Sequence, residues 1–162
     1  MLLLAQDPEC AISHIGCFKA GIISSPTSVL FGADAISYRL NDSGASAVVT
    51  DMANLEKVLE VKSEAPNLKH VFVIDGEAEG AHPYWETIKK ADAGFTNVDS
   101  ASEDTAWISY TSGTTGMPKG SVQPHRMLLG HMPSLEFIYD FFPQDNDVLW
   151  SPADWARSEE HT

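Results

Sequence analysis

Short apolar runs alternate along the chain with longer stretches whose apolar residues recur at helical spacing, the rhythm of a parallel sheet wound with helices. Leu2 to Ala5 reads as a strand, and Glu9 to Ala20 as a helix started near Asp7-Pro8 and stopped at Gly21. Ile22 to Ser25 is a weak strand ending at Pro26. Ala33 to Asp42 reads as a short helix with Ile36 and Leu40 on one face, ended by Gly44, and Ala45 to Thr50 as a buried strand. Asp51 then caps a helix in which Met52, Leu55 and Leu59 share a face, and Pro66 blocks its continuation. His70 to Asp75 is apolar on both faces, as a central parallel strand covered by helices on each side requires.

The second half is less regular. Gly76 to Gly94 contains an acidic turn and a short helix around Trp85 to Ala91, and Phe95 to Glu103 reads as a polar surface linker. Thr105 to Tyr110 is a strand entering a glycine-rich loop, Ser121 to Gln123 leaves it, and His125 to Tyr139 is a helix with Leu128, Met132, Leu135 and Ile138 on one face. Asp147 to Trp150 is expected as a last strand. The chain shows no internal repeat and no low-complexity tract.

Composition narrows the functional classes. The 162 residues are 43% hydrophobic and 20% charged, the balance of a globular domain. Ten basic against 23 acidic residues give a formal charge of −13, which repels nucleic acid and anionic lipid at long range. MLLLA at the start is too short for a membrane span and lacks the basic flank of a signal peptide, so a cytoplasmic protein without a membrane span is expected. Cys10 and Cys17, about 10.5 Å apart if helical, are too distant for a disulfide and read as free thiols. The six histidines include no H-x-x-x-H pair and no cysteine partner at zinc spacing, so no metal site is expected. Asn41-Asp42-Ser43 matches a glycosylation sequon but reads most simply as a turn before Gly44.

Tyr110 to Gly120, YTSGTTGMPKG, carries the chemistry. Thr111, Ser112, Thr114 and Thr115 offer hydroxyls, Gly113, Gly116 and Gly120 let the backbone turn and present N–H groups, and Lys119 adds a positive charge, the set a polyphosphate needs. A Walker A loop counted from Gly113 would require glycine at 118 and a hydroxyl at 120, where this chain has Pro118 and Gly120; a P-loop NTPase is excluded. No G-x-S-x-G elbow exists, so Ser112 is a phosphate donor rather than a nucleophile.

The loop resembles the signature of the adenylate-forming superfamily, which includes AMP-forming acyl-CoA synthetases, luciferases and the adenylation domains of peptide synthetases; all ten specified positions of Y-T-S-G-T-T-G-x-P-K-G match. Lys19-Ala20-Gly21 with Pro26, Phe31 to Asp51, and Asp145 to Ala156 resemble further stretches of the short- and medium-chain acyl-CoA synthetases, so the resemblance covers nearly the whole chain. It implies an α/β fold, part of the large N-terminal domain of that superfamily, over residues 1–156. Thr111, Ser112, Gly113, Thr114, Thr115, Gly116, Met117, Pro118 and Lys119 would wrap the β- and γ-phosphates of ATP, and His125, Trp150, Asp154 and Trp155 are candidates for an acyl or nucleotide pocket. The implied reaction joins ATP, a small carboxylic acid and coenzyme A, with Mg2+ brought in by ATP.

Two departures qualify this. Gln123 stands where many relatives carry histidine, and after Ala156 the chain reads Arg157 to Thr162, a hexapeptide that a common sequencing adapter encodes in frame and that is expected to be a non-native tail. The family's adenine, ribose and metal motifs and its C-terminal lysine would lie downstream, so no catalytic residue is assigned, both ends are expected to be truncated, and the 162 residues alone are expected to be inactive. The alternatives are a nucleotide-affine fragment without catalysis and an amino-acid-activating domain.

Overall fold

The computed structural model describes residues 1–111, 116–150 and 155–156. Its centre is a parallel sheet in the order β1 (Leu2–Leu3), β2 (Ala47–Thr50), β3 (His70–Val73), β4 (His82–Pro83). The register runs from Leu2 opposite Val49 through Val49 opposite Phe72 to Phe72 opposite His82. Alternate side chains leave this sheet on opposite faces. One set, Leu3, Val48 and Val71, packs with Ile36 and Leu40 of α2 (Ala33–Ser43) and Leu55, Val58 and Val61 of α3 (Met52–Val61) into the main core. On the other face Leu2 and Leu4 meet Cys10 of α1 (Pro8–Lys19).

Local signals explain the helix boundaries. Pro8 occupies the first turn of α1, where its missing N–H costs nothing. Gly44 closes α2 with φ +63°, a conformation cheap only for glycine. The Asp51 side chain accepts from the Asn54 N–H at 2.8 Å, and Asp75 Oδ1 accepts from the Met52 N–H at 2.8 Å, so two carboxylates hold the N-terminus of α3.

The inward face of α3 differs from the expectation. Leu55, Val58 and Val61 are buried, whereas Met52 is 43% exposed and Leu59 only half-buried. Met52 starts the helix beside Asp75, past the C-terminal ends of the two central strands, and the buried stripe begins one turn later. A single turn of 3₁₀ helix over Lys62–Glu64 continues α3 before Pro66.

Residues 22–27 form no regular strand, but they do join the two sheets. The Leu2 N–H donates to the Ser25 carbonyl at 2.8 Å, and Ser24 exchanges two 2.9 Å backbone bonds with Ala106 and Ile108. The far partner is a hairpin, β5 (Thr105–Thr111) paired antiparallel with β6 (Lys119–Pro124). The alternation of strands and helices predicts parallel strands throughout; the tight return after Tyr110 leaves no room for the crossover that a parallel pair needs.

The short helix near Trp85 is α4 (Tyr84–Lys89), and α5 (Met127–Ile138) follows the hairpin. Its expected apolar stripe meets no core, for Leu128, Met132 and Ile138 are 50%, 40% and 70% exposed and no residue of α5 is buried. Asp147 to Trp150 is irregular rather than a strand. No helix of the described residues is long and apolar enough to cross a membrane.

Candidate functional site

The hairpin presents the glycine-rich loop at its tip. Thr111 opposite Lys119 is the last pair, Tyr110 opposite Gly120 the one before, so the loop from 112 to 118 is closed at its base by two paired strands. Ser112, Gly113, Thr114 and Thr115 lie outside the described residues. The remaining loop residues are brought together: Thr111 and Pro118 are half-buried, Met117 is 61% exposed, and Gly116 and Lys119 face solvent. Gly116 has φ +142°, where a side chain would clash with its own backbone. Lys119 makes no ion pair among those found between described residues, which leaves its ammonium available to an anion.

Both feet of this loop are tied to α2. The Tyr110 hydroxyl donates to Asp42 Oδ2 at 2.7 Å, and the Tyr38 hydroxyl donates to the Pro118 carbonyl at 2.8 Å. The two tyrosine rings meet edge to face, 6.4 Å apart. Between them and Phe31 lies the buried Arg39 guanidinium, 4.0 Å from the Phe31 ring centroid and 5.3 Å from that of Tyr110. Its Nη1 donates to the Ala35 carbonyl at 2.8 Å, and its Nε has no partner among the described residues. Burial, reinforced by Asp42, raises the Tyr110 phenol well above its ordinary pKa, so it stays protonated and remains a donor.

Of the other candidates, His125 lies at the far end of the hairpin. His125 follows Pro124, which pairs with Thr105 at the opposite end of the hairpin from Thr111 and Lys119, about 17 Å along the strand. Its ring packs edge-on against Phe18 at 6.1 Å, and its N–H donates to the Asp104 carbonyl at 3.0 Å. Trp150 is 79% and Trp155 41% exposed, and Asp154 lies outside the described residues. A cavity of about 710 Å³ lies against the second face of the parallel sheet between α1 and α4. It is lined mainly by apolar groups such as Leu2, Ile12, Val49 and Phe72, and it contains none of the loop residues.

Sequence reasoning found the loop and missed its supports. Tyr38, Arg39 and Asp42 were legible only as helix and turn residues. The available signal was their spacing, because Tyr38 and Asp42, four apart, fall on one face of α2.

The chain is an α/β unit whose antiparallel hairpin carries a loop rich in hydroxyl residues and glycine and closed by a lysine. The family model for AMP-binding enzymes matches residues 1–158, and the chain belongs to that family. It is 33% identical over 155 residues to the mitochondrial acyl-coenzyme A synthetase ACSM1 of Mus musculus, and 31% identical over 156 residues to the acetyl-coenzyme A synthetase of Bacillus subtilis; each alignment covers 94% of this chain and 27% of the relative. An acyl-CoA synthetase of Brucella canis of known structure superposes with a TM-score of 0.80 at 28% identity, over 96% of this chain and 28% of that one. The fold is therefore that of the adenylate-forming enzymes, and the chain spans about a quarter of its relatives' length.

Proposed function

We propose that this chain is the phosphate-binding part of an AMP-forming acid–CoA ligase. In the first step a carboxylate oxygen attacks the α-phosphorus of ATP, the bond to the β-phosphate oxygen breaks, and pyrophosphate leaves with the electron pair. In the second the CoA thiol, losing its proton, attacks the acyl carbonyl and AMP departs. The observation that carries this reading is the tip of the hairpin, where Thr111, the glycine at 116 and the exposed Lys119 flank one loop at the end of an antiparallel pair. Donors fixed where charge collects on the leaving pyrophosphate lower the barrier without reorganisation.

The residues Ser112, Gly113, Thr114 and Thr115 complete the proposed phosphate cradle, and His125, Trp150, Asp154 and Trp155 remain proposed contacts to the acyl group or nucleotide. The acid is proposed to be a short- or medium-chain fatty acid, on the resemblance of Phe31 to Asp51 and Asp145 to Ala156 to synthetases of that class, and the compartment to be the cytoplasm. Among the described residues no group of three His, Cys, Asp or Glu side chains is placed to hold a metal, so no step here is routed through Mg2+, which would enter with the ATP phosphates.

The test is acid-dependent exchange of labelled pyrophosphate into ATP by the full reading frame that contains this chain. Lys119→Ala should slow exchange by about 10²-fold or more, the usual effect of removing one donor from a developing negative charge, while the KM for the acid stays near wild type. Exchange at the wild-type rate in this variant would remove the loop from the mechanism.

A further inference from the structure

We propose that α2 anchors the phosphate loop, with Tyr38 and Asp42 acting as positioning residues for adenylate formation; this rests on the function proposed above. The two anchors grip both feet. Asp42 holds Tyr110, the residue just before Thr111, and Tyr38 holds the carbonyl of Pro118, the residue just before Lys119. Geometry makes this economical: residues four apart on a helix are separated by about one turn of 5.4 Å, close to the about 4.8 Å between paired strands. One face of α2 therefore meets two adjacent strands.

The bond to Pro118 does more than attach the strand. A peptide group is planar, so fixing the Pro118 carbonyl also fixes the direction of the Lys119 N–H and the point from which the Lys119 side chain sets out. The bond to Tyr110 holds the opposite foot through its side chain, by a ring that also packs against Tyr38 and the Arg39 guanidinium. A two-stranded hairpin is marginally stable on its own; here its tip would swing about its base without α2. Neither anchor is placed to touch a phosphate, so their effect must pass through the loop.

The test uses the full reading frame with the variants Tyr38→Phe, Asp42→Ala and Asp42→Asn, read by pyrophosphate exchange and by trypsin cleavage after the exposed Lys119. Tyr38→Phe keeps the ring and removes only the hydroxyl. Loss of one directed hydrogen bond of this kind should lower the exchange kcat about fivefold, leave the KM for the acid and the melting temperature near wild type, and speed cleavage after Lys119 by a similar factor, because local opening of the tip becomes easier. Asp42→Ala should do the same, and Asp42→Asn, which retains an acceptor oxygen, should recover most of the loss. A merely structural role would move the melting temperature and KM together and would show no such recovery. Wild-type kcat and cleavage in both Tyr38→Phe and Asp42→Ala would overturn the anchor. If the wild-type protein shows no exchange with any acid, the proposed activity fails, and the cleavage rates still decide the anchor: faster cutting in the variants upholds it, equal cutting ends it.

Discussion

Replacing Gly116 and Gly120 separately by alanine should produce opposite phenotypes, because the two glycines are required for different physical reasons. A Cβ at Gly116 would find nothing within 4 Å among the described residues, but φ is +142° and an L side chain there is strained. Such backbone strain costs about 1–3 kcal/mol. Gly116 is exposed, so the loop can relieve the strain by moving, and the donors around it then leave their positions. At about 1.4 kcal/mol per factor of ten, that is a loss of roughly 5- to 150-fold in exchange rate with little change in melting temperature. Gly120 has no positive φ; its Cβ would stand 3.1 Å from Ile108 Cγ2 and 3.5 Å from Tyr110 Cζ. The neighbours must give by a few tenths of an ångström, which costs about 1 kcal/mol at the low end for overpacking and falls mainly on stability. Pyrophosphate exchange and thermal melting on both variants form the assay. Full exchange activity in Gly116→Ala, or parallel losses of rate and melting temperature in the two variants, would refute the reasoning.

Three further outcomes follow from the core and the caps. The His14 ring, buried against Trp107 at 4.6 Å and hydrogen-bonded through Nδ1 to Ser24, has its pKa pushed down to about 4 by burial and, less, by the chain's N-terminal ammonium. Because the folded state resists the proton that the unfolded state takes up, its contribution is present above about pH 6.5 and is lost as pH falls toward 4, by at most about 3 kcal/mol; urea melts across that range should show a shallower pH slope in His14→Gln, and equal slopes would refute this. Asp51→Ala, which removes the cap on the Asn54 N–H, should cost about 1 kcal/mol by denaturant titration. Leu40→Ala, at a side chain 1% exposed, should cost about 2–5 kcal/mol, whereas Leu30→Ala, at 87% exposure, should stay within about 0.5 kcal/mol of wild type.

What the sequence revealed depends on how far each structural cause reaches along the chain. The ends of α1, α2 and α3 were legible because Pro8, Gly44 and Asp51 act on their own helix, within a turn. The strands β2 and β3 were legible as unbroken apolar runs, of which Val48, Val71 and Val73 are buried while Val49 and Phe72 on the other face are half-buried. The buried face of α3 was misread at Met52 because the choice between Met52 and Val58 is made by where the sheet ends, which no local pattern encodes. The stripe on α5 is a true helical period, yet a period states only which residues share a face and not whether anything covers it.

The same division runs through the site. The candidate loop stands out in the sequence because its chemistry is contiguous: hydroxyls, glycines and Lys119 follow one another from 111 to 120. Its supports were not, since Tyr38 reaches Pro118 across 80 residues and Asp42 reaches Tyr110 across 68. At such separations the pairing exists only after β1, β2 and the connector through Ser24 have brought the hairpin beside α2. The sequon reading of Asn41-Asp42-Ser43 shows the cost, for a local explanation sufficed for Asp42 and concealed a hydrogen bond to the residue before the loop. The candidate donors of the loop are thus set by composition, whereas their orientation is proposed to depend on the helix that holds Tyr110 and Pro118, and substitutions at 38 and 42 separate the two.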